Sequence, residues 1–140
     1  MIDSVKTIVL PAKIDQWDHV YELVESCLDG TDTSEKTKYD LFVSAEEIFT
    51  NIASYAYDSV EGMVEISCGF CTESQDELRV SFKDWGTPYN PLERSDPDFD
   101  IPFEERGIGG LGIFMVKKFM DYVEYRNEHG CNIFTIGKKL

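Results

Sequence analysis

A chain of 140 residues is long enough for one domain with a real hydrophobic core and too short for two. Apolar residues make up 42% and aromatics 13%, which argues against disorder, and 27 acidic against 13 basic side chains leave a net charge of -14. That charge opposes a nucleic-acid backbone or an anionic membrane surface, but not a nucleotide, whose few phosphates can be held by amides, a metal and one or two cations.

No apolar run approaches the roughly 18 residues needed to span a bilayer. The opening stretch MIDSVKTIVLP has no basic segment ahead of a long apolar core, so it reads as a first strand rather than a secretory signal. The expected location is the cytoplasm.

Residues 5–10 form a short strand stopped by Pro11. Residues 12–28 carry Ile14, Trp17, Val20, Tyr21, Val24 and Leu28 on one helical stripe, with Asp15, Asp18, Glu22 and Glu25 outside it. Gly30 ends this helix. Thr33 or Ser34 then supplies a cap for the longest helix, placed over 39–59. Its broad apolar face holds Leu41, Ala45, Ile48, Phe49, Ile52 and Ala56. Glu47 and Asn51 are four apart and stack along one line at the margin of that face, whereas Glu46 falls on the opposite flank. An asparagine in mid-helix competes with the backbone and normally finds little reward there, which draws attention to Asn51.

Two strands follow. Over 63–70, Val64, Ile66, Cys68 and Phe70 alternate with polar neighbours. Over 77–83, Leu78, Val80 and Phe82 point inward while Arg79, Ser81 and Lys83 point outward. A polar turn joins them, so the pair is antiparallel with one wet face. Asp84-Trp85-Gly86-Thr87-Pro88-Tyr89-Asn90-Pro91 ends the second strand, and Trp85 and Tyr89 are expected to be structural. Residues 92–105 hold six acids and two prolines without a credible element, which suggests a lid extending over 92–110. Four glycines, Gly107, Gly109, Gly110 and Gly112, then open a helix with Ile113, Val116 and Met120 along one side. Strands over 122–126 and 131–137 close the chain as a hairpin around Asn127-Glu128-His129-Gly130. This order predicts a two-layer α/β sandwich: a mostly antiparallel, mixed sheet of about five strands with its helices on one face.

Of the four cysteines, Cys68 and Cys71 form a CGFC unit inside a strand pattern rather than at a helix start, while Cys27 and Cys131 stand apart. Ordinary thiols are expected, not a redox or zinc site.

Three separated pieces carry chemistry. Asn51 offers a neutral oxygen to a hard cation such as magnesium, which takes few protein ligands plus substrate phosphates. Glu47, one turn earlier, can accept a proton from a hydroxyl near a terminal phosphate. Asp84 at a strand end can accept a hydrogen bond from the exocyclic amine of a base, and Gly86 lets a purine lie close to the chain. The glycine cluster opens a helix and so can aim bare amides at an anion, with Arg106 as a charge-assisted donor. No Gly-Lys-Ser or Gly-Lys-Thr follows, so this is not the phosphate loop of that type.

With these pieces in order, the chain resembles the GHKL, or histidine-kinase-like, ATPase superfamily, and within it the small anti-sigma-factor serine/threonine kinases. The resemblance rests on Glu47-Ile48-Phe49-Thr50-Asn51 with Tyr55-Ala56-Tyr57, on the block from Asp84 to Pro91, and on Arg106-Gly107-Ile108-Gly109-Gly110-Leu111-Gly112-Ile113-Phe114. It covers essentially the whole chain. It implies a Bergerat-type fold binding ATP and Mg2+, with Glu47 as catalytic base, Asn51 as magnesium ligand, and Asp84 and Gly86 in the adenine pocket. Gly107, Gly109, Gly110 and Gly112 would lie in a lid over the phosphates. It further implies a homodimer that binds a sigma factor and phosphorylates a small antagonist protein, with no direct contact to nucleic acid or membrane. The chain departs from the pattern at Tyr55, where a histidine is common, and at Ile108, where a glycine is frequent. A self-phosphorylating sensor or a gyrase-like ATPase is not expected of this stretch alone, since it shows neither a receiving histidine nor the further domains of those classes. The alternative expectation is a nucleotide-gated module that sequesters a partner without efficient phosphoryl transfer.

Overall fold

The computed structural model describes residues 2–57, 60–74, 76–93 and 111–140. Five strands, β1 (Ile2–Pro11), β2 (Met63–Cys71), β3 (Glu77–Asp84), β4 (Tyr122–Glu128) and β5 (Cys131–Lys139), form one sheet in the order β1-β2-β3-β5-β4. All four pairings are antiparallel. Among the described residues three α-helices, α1 (Trp17–Leu28), α2 (Glu35–Asn51) and α3 (Leu111–Phe119), pack on one face of it. The expected two-layer sandwich is what forms.

The core lies between the layers. Val64, Ile66, Cys68, Leu78, Val80, Phe82 and Ile136 are fully buried from the sheet side. Val20 and Val24 of α1, Leu41, Ala45 and Phe49 of α2, and Val116 of α3 meet them from above. On the opposite face hydroxyls pair across strands, Thr7 with Ser67 at 3.1 Å and Ser81 with Thr135 at 2.9 Å. Period-2 alternation in β2 and β3 thus divides an apolar from a polar face, as anticipated.

Local signals fix the ends of the elements. Ser34 caps α2, its Oγ accepting from the Thr37 amide at 3.1 Å. The β4–β5 hairpin turns on two residues, His129 and Gly130, both with positive φ (54° and 80°). That geometry belongs to the type I′ turn, which suits the right-handed twist of paired strands.

Two expectations need correcting. Ile14 and Tyr21 were placed on the buried stripe of the first helix, but Ile14 is 59% exposed and Tyr21 stacks on Phe42 at 4.3 Å near the rim. Ile14 belongs to a short 3-10 turn, Ile14–Gln16, so helical phasing does not apply to it. The longest helix also stops short of residue 59: after Asn51 the chain widens into a π turn, Ile52–Ala56.

Helix α2 packs over β3 and β5. Near its start Asp40, only 4% exposed, is held by Lys36 at 2.8 Å and faces Lys138 of β5 at 3.8 Å. Beyond its far end, at the close of the π turn, the Ala56 carbonyl accepts the Thr87 amide just past β3, at 3.1 Å. Midway, Ser44 Oγ is buried with no hydrogen-bond partner among the described residues. An unpaired buried hydroxyl costs free energy, and alanine is the better helix former. Ser44→Ala should therefore stabilise the protein by about 1 kcal/mol, raising the melting temperature in a thermal scan. A lower melting temperature would show that the hydroxyl has a partner.

All four cysteines are free thiols. Cys27 Sγ lies 3.6 Å from the Cys68 carbonyl oxygen, where α1 meets β2. Hydrogen bonding from the Cys68 thiol holds the Cys27 thiol down, to about 7, while that bond and burial push Cys68 up. Iodoacetamide should therefore alkylate Cys27 first in the folded protein, at a rate that climbs through about pH 7. A midpoint at the ordinary cysteine value of about 8.5 would contradict this pairing.

Candidate functional site

The end of α2 and the ends of β3 and β5 enclose a cavity of about 530 Å3. Glu47 and Asn51 line it from α2, and Tyr55 and Ala56 from the π turn. Asp84 lines it from the end of β3, and Thr87, Tyr89 and Pro91 from the loop that follows. Ile113 of α3 and Tyr125, Asn132 and Phe134 of the hairpin complete the described wall. Three of the sequence-singled residues, Glu47, Asn51 and Asp84, therefore face one space.

On the α2 side, Asn51 Nδ2 donates to Glu47 Oε1 at 3.3 Å. The four-residue spacing makes the contact, as helical neighbours one turn apart stack. A carboxylate can only accept here, so the bond fixes which end of the amide is nitrogen and leaves Asn51 Oδ1 free among the described residues. Gly112, in the first turn of α3, touches the same carboxylate. A Cβ added at Gly112 would stand 2.0 Å from Glu47 Oε1. The carboxylate thus lies against the opening of α3, where backbone amides lack helical partners.

At the other end, Asp84 is 4% exposed and its Oδ1 accepts from the Gly86 amide at 2.9 Å. Asn132 Nδ2 donates to the same oxygen at 3.0 Å. Gly86 has its own reason to lack a side chain, because a Cβ there would meet the Ala56 carbonyl oxygen at 2.0 Å. The loop is thus pressed onto the end of the π turn. Tyr57, next along, accepts from the Trp85 amide at 2.9 Å and donates to the Met63 carbonyl at 2.6 Å. Burial, more than any neighbouring charge, raises the Tyr57 phenol above its usual pKa, so it stays a neutral double-duty clamp. Trp85 is 47% exposed beneath Lys83, and Tyr89 stands on the cavity wall.

The described wall carries two carboxylates and no basic side chain. A cation would offset the charge of a polyphosphate lying beside them, and the free Asn51 Oδ1 suits a hard divalent ion such as Mg2+. Arg106, Gly107, Gly109 and Gly110, with most of the lid anticipated over 92–110, lie outside the described residues.

Sequence reasoning missed Asn132 and Tyr125, and it gave Tyr57 no role beyond its place in the Tyr55-Ala56-Tyr57 block. An asparagine inside an otherwise apolar closing strand was a faint signal, since asparagine is poorly suited to strands. Only the register, which sets Asn132 directly across from Asp84, gives it meaning.

Fold and cavity together define a two-layer α/β sandwich with a pocket at one end of its sheet, and comparison with known proteins specifies the class. A family model described as "Histidine kinase-like ATPase domain" matches residues 10–138, and the chain belongs to that family. Among curated relatives, a serine-protein kinase RsbW from Oceanobacillus iheyensis is 29% identical over 107 residues, covering 67% of this chain and 61% of that protein. One from Bacillus cereus is 28% identical over 98 residues, covering 67% of this chain and 59% of its own length. The chain thus spans about three-fifths of these relatives. A crystal structure of the RsbU and RsbW domains of a Mycobacterium tuberculosis protein superposes with a TM-score of 0.65 at 14% identity, over 97% of this chain and 32% of that one. This last likeness shows the fold alone. Among the described residues, no helix is long and apolar enough to cross a membrane.

Proposed function

We propose that this chain is an ATP-dependent serine/threonine protein kinase of the anti-sigma-factor type. It would hold a sigma factor and phosphorylate a small antagonist protein, acting as a homodimer in the cytoplasm. One observation carries the reading: Glu47, Asn51 and Asp84 share one cavity, with Asn51 Oδ1 left available by the Glu47 contact. Membership of the ATPase family and likeness to serine-protein kinases support it.

In this reading Asp84 holds the base through its carboxylate. Asn51 Oδ1 is the protein ligand of Mg2+, which would neutralise charge on the phosphate oxygens. Glu47 accepts the proton of the incoming serine or threonine hydroxyl as the hydroxyl oxygen bonds to the γ-phosphorus and the bond from that phosphorus to the bridging oxygen breaks, releasing ADP. Gly112 keeps that carboxylate in place, and Arg106 with Gly107, Gly109 and Gly110 closes over the phosphates as a lid.

The test is incubation with labelled ATP, Mg2+ and a candidate antagonist protein bearing an acceptor serine. Label on that serine supports the kinase, whereas saturable Mg-ATP binding with no transfer would leave the nucleotide-gated module instead. Gly112→Ala offers a subtler check. The group it displaces is the end of a flexible side chain, so the fold should hold. Transfer should nevertheless fall about tenfold to a hundredfold from misplacing Glu47, with ATP affinity little changed. Unchanged transfer in a stopped-time assay would show that Glu47 does not need its observed position.

A further inference from the structure

Asn132 uses every polar group it has inside the protein. It is 6% exposed, and its Nδ2 donates toward Asp84 Oδ1 at 3.0 Å, the Thr87 carbonyl at 3.1 Å and the Gly86 carbonyl at 3.4 Å. Its Oδ1 accepts from the Tyr125 hydroxyl and, at 3.1 Å, from Asn127 Nδ2. Turning the amide over would set an oxygen against three oxygens, so its orientation is locked by chemistry. The lock follows from register: Asp84, Asn132 and Asn127 are successive partners in one row across β3, β5 and β4.

This arrangement decides what a ligand meets at Asp84. With the Gly86 amide and Asn132 both on Oδ1, that oxygen is filled from the protein side. Oδ2 has no hydrogen bond among the described residues, and the carboxylate lines the cavity. The Gly86 and Thr87 carbonyls are likewise engaged by Asn132, so the loop's acceptors are partly spent. Oδ2 is therefore the open acceptor that Asp84 turns to the cavity. A base with an exocyclic amine can donate to it, whereas a base with a carbonyl there presents lone pair to lone pair.

We infer that Asn132 is the positioning residue that sets base selectivity, making the pocket accept a 6-aminopurine and reject a 6-oxopurine. It acts through Asp84 and touches no ligand itself. Without it, three oxygens lose a donor, and the carboxylate is free to rotate away from the orientation that presents Oδ2. Selectivity would then fall even where binding survived.

The inference rests on the ATP-binding reading, and the experiment separates the two. Mg-ATP, Mg-ADP and Mg-ITP are titrated calorimetrically into wild type, Asn132→Leu and Tyr125→Phe, with melting curves to confirm folding. Wild type should favour ATP over ITP by at least about a hundredfold. Asn132→Leu should lose about tenfold or more in that ratio, as expected when a hydrogen bond to a charged group is removed. Its ATP-to-ADP ratio should stay unchanged, because the phosphate end is untouched. Tyr125→Phe keeps the ring on the cavity wall and frees one bond to Asn132, so a smaller fall of the same kind is expected.

A wild-type protein that binds no Mg-ATP overturns the ATP reading and this inference together. Intact discrimination in Asn132→Leu overturns only the inference. Should that variant fail to fold, intact discrimination in Tyr125→Phe does so instead.

Discussion

Glu47→Gln is expected to lower phosphoryl transfer to the acceptor serine by about a thousandfold while Mg-ATP affinity stays within about threefold of wild type. Glutamine keeps the length of the side chain and an oxygen that can still accept from Asn51 Nδ2, now 3.3 Å from Glu47 Oε1. What it loses is the capacity to take a proton. The substitution therefore separates two roles that alanine would remove together: orienting the Asn51 amide, and acting as base. If Glu47 only orients Asn51, the glutamine variant should transfer phosphate at close to the wild-type rate. Single-turnover transfer with binding measured in parallel decides between them.

The second large effect is structural. Gly86→Ala would place a Cβ 2.0 Å from the Ala56 carbonyl oxygen, 2.6 Å from its carbon and 2.9 Å from its Cβ. Two of these atoms are backbone, so no rotamer change relieves the overlap. Either the π turn or the loop must move, and both are tied by the Thr87 amide bond to Ala56. Overpacking of this kind costs about 3 kcal/mol, to be read from a denaturant melt. Because the Gly86 amide also donates to Asp84, ATP affinity should fall at least about tenfold. A variant as stable as wild type and equally tight for ATP would show that the approach of loop to helix is loose.

The difference between Gly86 and Gly112 is instructive. Both exclude a side chain at 2.0 Å, but one contact is to backbone and the other to a movable carboxylate. The first should be felt in stability, the second in rate.

How much of this was legible in the chain follows from the range of each signal. Alternation in β2 and β3 announced their buried and polar faces, since side-chain period is a local property. A cap at Thr33, Ser34 or both and a hairpin turn within Asn127-Glu128-His129-Gly130 were legible for the same reason, and the structure narrows them to Ser34 and to His129-Gly130. The line from Glu47 to Asn51 needed only helical spacing. The π turn was not legible, because Ile52 and Ala56 continue the apolar spacing of an ordinary helix while the backbone beneath them widens. Ile14 misled because its period fits a helix that has not yet begun. Asn132 was out of reach for a different reason: its partner Asp84 is 48 positions away, and only the sheet register joins them. Arg106, Gly107, Gly109 and Gly110 remain sequence expectations, since they fall outside the described residues.

A crystal structure with Mg2+ and a non-hydrolysable ATP analogue bears most directly on the shared cavity. The base should donate its exocyclic amine to Asp84 Oδ2, and the metal should bind Asn51 Oδ1 with Glu47 beside the terminal phosphate. An analogue seated elsewhere, or a base turned away from Asp84, would contradict the assignment of this cavity.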